Sequence, residues 1–265
     1  MWGIVPAAGR GSRIQPLAFS KELLPVGSRR DNGNEKPVAV AEHLLDRMVA
    51  AGVDKIAMVI SPEKTDILEY FGARWRGAQI FYVVQTEAAG LCDAIFTALP
   101  LIEADETVVV GLPDTVWFPE TALRCLPRDT LSFLLFPVDE PQRFDAVVVD
   151  ARDRVEAIEV KSPSPRTAWV WGAFAMPGRT LAELHRLWRE DGRGDEYVGT
   201  LVNAWLARGG TAYGIKAGER YIDVGTIEGY RAAIAMLQGA VPPGPAVHRA
   251  EQEGGPLPVS MEVQT

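Results

Sequence analysis

Cysteine and histidine are scarce in this chain of 265 residues. Two cysteines, Cys92 and Cys125, are too few for a disulfide framework, and such low usage is typical of a reducing compartment. We interpret both as core residues in helical segments. The three histidines, His43, His185 and His248, lack the spacing of a zinc site or a catalytic triad. The sequence therefore predicts neither a disulfide scaffold nor a histidine-based centre.

Positive charge is also in deficit, since 27 Lys and Arg stand against 35 Asp and Glu for a net charge of −8. General nucleic-acid binding relies on Lys and Arg contacts to phosphates, so that class is disfavoured and any phosphate site must be local. No apolar run reaches the ~20 residues of a membrane span. The N-terminal residues MWGIVPAAGRG also lack the charged and apolar regions of a signal peptide. We expect a cytoplasmic protein that binds neither nucleic acid nor membrane.

Short β-branched runs alternate with segments of helical period in the first half of the chain. The predicted strands are WGIVP, KIAMVIS, QIFYVVQ, TVVVGLPD and TLSFLLFPV, and residues 38–51 have the apolar spacing of a helix. This alternation is typical of an α/β protein with helices on both faces of its sheet. We predict a Rossmann-like fold with a mixed, mostly parallel sheet flanked by helices.

The pattern changes near residue 141. The segment DAVVVDARDRVEAIEVK predicts a hairpin, WVWGAFAMP predicts another strand, and residues 180–190 and 197–208 predict helices. We therefore predict one domain over residues 1–238, divided into a nucleotide-binding half at about 1–140 and a second half at 141–238. Residues 239–265 are rich in Pro and Gly and are predicted to be a loosely ordered tail.

The stretch PAAGRGSRIQPLAFSKELLPVG combines glycines and cations directly after the first predicted strand. Gly9 and Gly11 lie where the first strand-to-helix loop of an open sheet receives phosphates. The loop is not a Walker A motif, nor does it match the dinucleotide pattern, which needs a third glycine where Ile14 stands. Arg13 and Lys21 supply charges suited to phosphate oxygens. These features favour a phosphate site over the alternative, a solvated surface loop.

The same stretch resembles the signature of the sugar-nucleotide pyrophosphorylases, a family of nucleotidyltransferases. Further segments follow in family order over about residues 1–238, namely EKP, VVQTEAAGLCDAI, VVGLPDTVW, IEVKSP and YIDVGT. The residues GSRRDNG before EKP look like a local insertion. The resemblance implies the nucleotide-diphospho-sugar transferase fold, with a small sugar-binding subdomain in its second half.

The resemblance also implies a reaction. A sugar 1-phosphate would attack the α-phosphorus of a pyrimidine nucleoside triphosphate, dTTP or UTP, with Mg²⁺ as cofactor, and pyrophosphate would leave. Arg13 would hold the β- and γ-phosphates, Lys21 would bridge the reacting phosphates, and Asp114 and Asp223, each at the end of a predicted strand, would bind the metal. Two carboxylates suit Mg²⁺, which keeps waters and substrate oxygens as its other ligands. The structural alternative for either aspartate is a helix cap.

Substrate contacts are carried over from the family in the same way. The nucleotide would contact Ala7, Ala8, Gly9, Gly11, Gln85 and Gly90, and the sugar phosphate would contact Lys161, Asp145 and Gly172. The amide of Gln85 can both donate to and accept from a pyrimidine edge, while the backbone at Gly90 can approach the ring without an intervening Cβ. The alternative for Gln85 is a polar residue that ends a strand, and for Lys161 a solvated strand residue.

The resemblance breaks at the expected sugar site. Relatives that use glucose 1-phosphate usually have Tyr-Gly where Phe144 and Asp145 stand, and Glu where Val160 stands. Losing that glutamate removes an acceptor, and an unpaired buried hydroxyl costs about 1–3 kcal/mol. Our hypothesis is that the acceptor is a modified sugar or sugar-like phosphate.

The sequence allows two alternatives to the nucleotidyltransferase activity that the resemblance implies. A regulatory protein of the same fold could bind a nucleotide sugar without turnover, although the presence of all four charged residues favours an enzyme. A nicotinamide-dependent oxidoreductase is disfavoured because its acidic residue would be Asp31, in a polar segment. The choice between dTTP and UTP stays open, as does the oligomeric state, since relatives are often dimers or tetramers.

Overall fold

The structure is a computed structural model, and it describes residues 1–238. The described strands are β1 (Trp2–Pro6), β2 (Pro25–Asp31), β3 (Asn34–Ala39), β4 (Lys55–Ile60), β5 (Arg74–Trp75), β6 (Ala78–Val84), β7 (Thr107–Gly111), β8 (Thr115–Phe118), β9 (Leu131–Pro137), β10 (Asp145–Val149), β11 (Val155–Val160), β12 (Trp169–Pro177), β13 (Ala212–Ile215) and β14 (Arg220–Asp223). The described α-helices are α1 (Val40–Ala50), α2 (Thr65–Phe71), α3 (Gly90–Thr97), α4 (Gly178–Trp188), α5 (Val198–Ala207) and α6 (Ile227–Gln238).

Ten of these strands form one sheet in the order β11-β10-β12-β7-β1-β4-β6-β5, with β9 paired to β12 and β13. Its centre is parallel, because β1 pairs in parallel with both β4 and β7, and β4 pairs in parallel with β6. β12 runs antiparallel to β7 and begins the second half of the sheet, which ends with the β10–β11 hairpin. The predicted fold class, a mixed sheet flanked by helices, is confirmed.

Alternation along the central strands builds two apolar layers. Val5, Ile56 and Met58 face α1 and α2 on one side of the sheet. Ile4 and Val59 are among the residues that face α3, α4 and α5 on the other. Successive side chains of a strand point to opposite faces, so β1 and β4 are buried on both sides. This burial fixes the carboxyl ends of the parallel strands as a rigid edge for the loops described below.

Two small antiparallel sheets complete the described fold. β2 pairs with β3 across a turn in which Asn32 and Gly33 both have positive φ, as a two-residue type I′ hairpin turn requires. The segment GSRRDNG, interpreted above as a local insertion, is therefore part of a hairpin, and Asp31 is the last residue of its first strand. β8 pairs with β14 and places Thr115 opposite Asp223.

Several sequence expectations are corrected by the structure. The strand predicted to end at Asp114 ends at Gly111, and β8 at residues 115–118 separates Asp114 from the short 3-10 turn Ala122–Cys125 that follows Pro119. Asp114 therefore lies in the turn between two strands and caps no helix. Cys125 is exposed at the end of a short 3-10 turn, so it is not a core residue, whereas Cys92 is buried in α3.

Other expectations stand as they were made. β12 has the predicted bounds, and the hairpin and the helices of the second half lie within a few residues of theirs. The division at residue 140 stays a prediction, and the expected tail at 239–265 lies outside the described residues. No helix within residues 1–238 combines the length and apolar character needed to cross a membrane.

Candidate active site

The glycine-containing loop after β1 folds around Lys21. Gly11 has φ +64°, and a Cβ at this position would lie 2.8 Å from Cδ of Lys21. Only glycine combines this backbone conformation with such a close approach. Lys21 opens the 3-10 turn Lys21–Leu23 and is largely buried, with 14% of its side chain exposed. The loop thus packs along the stem of the lysine and fixes the position of its ammonium group.

Buried polar contacts anchor the segment that carries Lys21. Lys64 donates to both carboxylate oxygens of Glu22 at 2.8 Å and to the carbonyl of Ala7 at 2.6 Å. The backbone N–H and hydroxyl of Ser20 donate to the two carboxylate oxygens of Asp66 at 2.6 and 2.7 Å. These bonds join the loop after β1 to the start of α2, and none of them was foreseen from the sequence.

Lys21 donates to Oδ2 of Asp114, which reaches it from the turn after β7. Burial alone would raise the pKa of Asp114, but the charge and hydrogen bond of Lys21 hold that pKa below its usual value. Burial likewise opposes protonation of Lys21, yet the carboxylates of Asp114 and Glu22 raise the pKa of its ammonium group. Both groups are therefore charged at neutral pH and stabilise each other.

Arg13 and Asp223 form a second pair beside the first. Nη2 of Arg13 lies 3.1 Å from Oδ2 of Asp223, and 62% of the arginine side chain is exposed. A Cβ built on Gly225 would be 2.8 Å from Oδ1 of Asp223, 3.1 Å from Nη2 of Arg13 and 3.3 Å from Oδ2 of Asp114. The two carboxylates and the guanidinium thus converge on the space beside Gly225. The structure brings together all four residues predicted to be catalytic.

A cavity of about 230 Å³ opens next to these pairs. Its lining includes Arg13, Asp114 and Asp223 from the paired groups and also Asp145, Lys161, Trp171, Glu196, Tyr197 and Tyr221. A larger groove of about 730 Å³ lies beyond Tyr221 and shares Phe144 and Asp223 with the cavity. The cavity is below the ~300–1,000 Å³ of pockets for drug-sized ligands, so it suits a substrate smaller than a nucleoside triphosphate.

Two predicted sugar-phosphate residues lie in this cavity. Burial raises the pKa of Asp145, and the positive charge of Lys161 opposes that rise. Lys161 is exposed, and its ammonium nitrogen lies 4.7 Å from the ring centroid of Tyr197. Its φ is +44°, in the left-handed region, where the chain leaves β11. A cation over an aromatic face at the mouth of a cavity is well placed to meet an anionic ligand.

Gly172, the third residue predicted at the sugar phosphate, is not part of the cavity lining. It is the extra residue of a bulge in β12, where the pairing with β9 passes from Trp171 directly to Ala173. A Cβ on Gly172 would lie 2.6 Å from the ring of Phe136 and 2.7 Å from that of Tyr221. The glycine therefore allows these rings to pack behind the cavity.

The predicted nucleotide residues lie along the carboxyl ends of the parallel strands. Ala7 and Ala8 are buried, and Gly9 is exposed with open space where a Cβ would be. The amide nitrogen of Gln85 donates to Oδ2 of Asp93 at 2.6 Å and to the carbonyl of Gly90 at 3.3 Å. Its amide oxygen makes no hydrogen bond to any residue of the described range. Gln85 can therefore accept a bond from a ligand N–H without losing its own contacts.

Gly90 differs from the expectation in its surroundings. It has φ +93°, and a Cβ there would lie 2.6 Å from Cγ and 2.9 Å from Cα of Glu196. The space left by the missing side chain is thus filled by Glu196, which also lines the cavity. Gly90 couples the loop after β6 to the wall of the cavity, a contact that the sequence did not indicate.

Comparison with known proteins places this site in a family. The family model described as Nucleotidyl transferase matches residues 2–239. The chain belongs to the nucleotidyl transferase family. A UTP--glucose-1-phosphate uridylyltransferase, AglF, of Haloferax volcanii is 27% identical over 248 residues, which cover 90% of this chain and 97% of that protein. A glucose-1-phosphate thymidylyltransferase of Neisseria meningitidis is 26% identical over 250 residues, covering 90% of this chain and 83% of that protein.

Solved structures of nucleotidyltransferases share the fold. A UTP-bound UGPase from Acinetobacter baumannii aligns with a TM-score of 0.73 at 19% identity, over 91% of this chain and 94% of that one. A Bacillus anthracis protein assigned as a glucose-1-phosphate thymidylyltransferase, in complex with sucrose, aligns with a TM-score of 0.76 at 24% identity, over 92% and 98%. The fold expected from the sequence resemblance is thereby confirmed.

The carboxylates of this nucleotidyl transferase suit a hard cation. Asp114 and Asp223 approach the same point beside Gly225 and offer only oxygen donors. Residues 1–238 contain no group of three or more His, Cys, Asp or Glu that could enclose a metal. Two carboxylates with the remaining positions open fit Mg²⁺, which takes one or two protein ligands and completes its shell with water and phosphate oxygens.

Three aromatic residues of the cavity lining were missed by sequence reasoning, namely Tyr221, Trp171 and the Tyr197 described above. Tyr221 separates the cavity from the larger groove, and burial, together with the charges of Asp223 and Asp114, raises the pKa of its hydroxyl well above the usual value. Trp171 lines the cavity from β12. The position of Tyr221 two residues before Asp223 on a short strand was the available signal, because alternate strand residues share a face.

Proposed function

We propose that this nucleotidyl transferase transfers a nucleotidyl group from a pyrimidine nucleoside triphosphate, dTTP or UTP, to a sugar 1-phosphate and releases pyrophosphate. The observation that carries the proposal is the convergence of the Lys21–Asp114 and Arg13–Asp223 pairs between the glycine-containing loop and a small cavity with its own lysine. The names of the uridylyl- and thymidylyltransferases similar to this chain support the choice of substrates.

The arrangement suits a reaction that depends on alignment and charge neutralisation. Phosphoryl oxygens of two anionic substrates repel each other, so positioned cations lower the barrier by offsetting charge as the leaving group departs. Lys21 is buried and fixed, which suits a group that holds the reacting phosphates in place. Arg13 is mostly exposed, so it can exchange Asp223 for the phosphates of an incoming triphosphate.

Lys161 is the proposed partner of the acceptor phosphate. It lines the cavity from the position directly after β11. An acceptor phosphate held there would present an oxygen toward the space beside Gly225. The in-line geometry of the attack would then follow from two cationic contacts, Lys21 on the nucleotide and Lys161 on the acceptor.

Mg²⁺ is the proposed cofactor, and Asp114 and Asp223 are the residues that would hold it. When bound there, it would supply positive charge to the phosphate oxygens of the triphosphate. The carboxylates are neutralised by Lys21 and Arg13 in the ligand-free protein. When Asp114 and Asp223 bind the metal ion, Lys21 and Arg13 become available to the phosphates of the substrates.

The experiment is a pyrophosphate-release assay with common nucleoside triphosphates and a panel of sugar 1-phosphates, with MgCl₂ or with EDTA. We expect release only with dTTP or UTP plus an acceptor, and only with the metal. Asp114→Asn and Asp223→Asn should each abolish turnover while keeping the wild-type circular dichroism spectrum, and the exposed Asp139→Asn serves as the control. Full turnover in either variant would overturn the metal assignment. Binding of a nucleotide sugar without any turnover would instead favour the regulatory alternative.

A further inference from the structure

The cavity wall contains a buried hydrogen-bond donor without a partner. Trp171 is 7% exposed, and its indole N–H makes no hydrogen bond within the described residues. The side chain nevertheless lines the cavity. Trp171 also precedes the bulge at Gly172, and bulges re-aim side chains next to functional sites. A buried donor without an acceptor destabilises the protein, so an acceptor supplied by a ligand would relieve that cost.

An acceptor group lies in the same wall. Asp145 is the first residue of β10 and lies directly opposite Val160 of β11, so the two side chains share a face of the hairpin. Val160 packs toward α5, where its Cγ2 would be 2.6 Å from a Cβ placed on Gly199. The polar group of this cross-strand pair is therefore Asp145, and it faces the cavity.

The chemistry of the two groups is complementary to a hydroxyl. A carboxylate only accepts and an indole N–H only donates, whereas a hydroxyl group can do both at once. Asp145 and Trp171 line the same cavity, and the indole N–H of Trp171 opposes the rise that burial causes in the pKa of Asp145, although this N–H makes no hydrogen bond of normal geometry. The unfilled donor and the carboxylate thus lie close enough to act on one ligand oxygen or on two adjacent ones.

We propose that Asp145 and Trp171 form a hydroxyl-recognition pair that selects the acceptor substrate. One hydroxyl of the acceptor donates to Asp145 and its oxygen, or that of its neighbour, accepts from Trp171, while Lys161 holds the phosphate. The substrate class is a phosphate ester of a polyol, a sugar or a cyclitol, that retains this hydroxyl. The inference rests on the proposed function for the identity of the reaction, but binding alone can test it.

The test is a calorimetric titration of the full chain with α-D-glucose 1-phosphate, the analogues that each lack one of its hydroxyl groups, and myo-inositol 1-phosphate. Pyrophosphate release is measured in parallel. We expect removal of one particular hydroxyl to weaken binding by about tenfold to a hundredfold, as for a hydrogen bond to a charged group. In Asp145→Asn and Trp171→Phe this discrimination should shrink to about threefold or less, while the other analogues keep their relative order.

Matched controls separate recognition from stability. Glu156→Gln removes a carboxylate from an exposed position of β11, and Trp169→Phe removes an indole N–H from the same strand as Trp171 but outside the cavity lining. Both should keep the wild-type discrimination, and thermal melting checks the fold of all variants.

Three results would overturn the proposal. The first is an equal loss of affinity for all analogues in both cavity variants. The second is that these variants still discriminate between analogues as strongly as the wild-type protein does. The third is that the wild-type protein binds no member of the panel. Hydroxyl-selective binding that disappears in Asp145→Asn, in a chain that releases no pyrophosphate, would support the recognition pair and reject the proposed function.

Discussion

Replacing Lys64 with methionine tests how the glycine-containing loop is held. Lys64 is the partner of Glu22, whose side chain is 1% exposed, and it also donates to the carbonyl of Ala7. Burial raises the pKa of Glu22, and the charge of Lys64 opposes that rise. Lys64→Met therefore leaves a buried carboxylate without its cation and a carbonyl without its donor.

The expected loss of unfolding free energy is about 3–5 kcal/mol at neutral pH, the usual cost of breaking a buried ion pair by removing one partner. A chain of this size loses about 2–4 °C in Tm for each kcal/mol, so we expect a fall of about 6–20 °C. Without Lys64 the pKa of Glu22 should rise further. When the pKa of a carboxyl is raised in the folded state, the protonated group is tolerated near pH 4, and stability is lost as the pH rises and the group ionises. The loss of unfolding free energy in Lys64→Met should therefore grow from pH 5 to pH 8.

Urea denaturation at several pH values measures this effect. Lys64→Met/Glu22→Gln should be more stable than Lys64→Met alone, because the second substitution removes the unpaired charge. Lys36→Met is the control, since Lys36 pairs with Asp31 on the surface and such pairs contribute about 0–1 kcal/mol. A loss of stability in Lys64→Met no larger than that in Lys36→Met, or a double variant less stable than Lys64→Met, would show that the buried ion pair does not hold the loop.

Further predictions concern base choice, loop contacts and pH. Gln85→Ala should weaken the preference for pyrimidine triphosphates, and an unchanged nucleotide profile would place the base elsewhere. Gly90→Ala should lower the stability by more than Gly77→Ala in urea denaturation, because both have φ above +90° but only Gly90 is crowded, and equal losses would contradict this. In pH-dependent unfolding, the contribution of the Asp114 carboxylate to the free energy of unfolding should be present above about pH 4 and be lost as the pH falls, because its pKa is lowered in the folded protein. The contribution of the Lys21 ammonium group should be lost as the pH rises above about 10.4, because its pKa is raised. If a Lys21→Met/Asp114→Asn variant loses stability at the same acidic and alkaline pH values as the wild-type protein, the Lys21–Asp114 pair does not contribute as expected.

The central strands and the fold class could be predicted from the sequence because they depend on local pattern. β1, β4 and β7 are short β-branched runs, and their burial on both faces leaves a continuous apolar signal. The loop with Gly9 and Gly11 was also visible, since glycines and cations are grouped within one short segment. Local spacing and the family resemblance together led to all four residues of the two charged pairs.

The remaining features depend on contacts between distant residues. Lys64 and Glu22 are single polar residues 42 positions apart, and no periodicity connects them. β8 and β14 have four residues each and become strands only by pairing with each other. The bulge at Gly172 interrupts the alternation of side chains along β12. The alternation of the sequence alone therefore could not show which face of the sheet the Trp171 side chain is on.

The attack of the acceptor phosphate on the α-phosphorus can be followed directly through the oxygen atoms of the reaction. A sugar 1-phosphate labelled with ¹⁸O in its phosphate group is incubated with the full chain, Mg²⁺ and dTTP or UTP, and both products are analysed by mass spectrometry. If the phosphate oxygen of the acceptor attacks the α-phosphorus, all of the label remains in a nucleotide sugar and the pyrophosphate is unlabelled. Labelled pyrophosphate, or nucleoside monophosphate formed from water without any nucleotide sugar, would contradict attack by the acceptor phosphate.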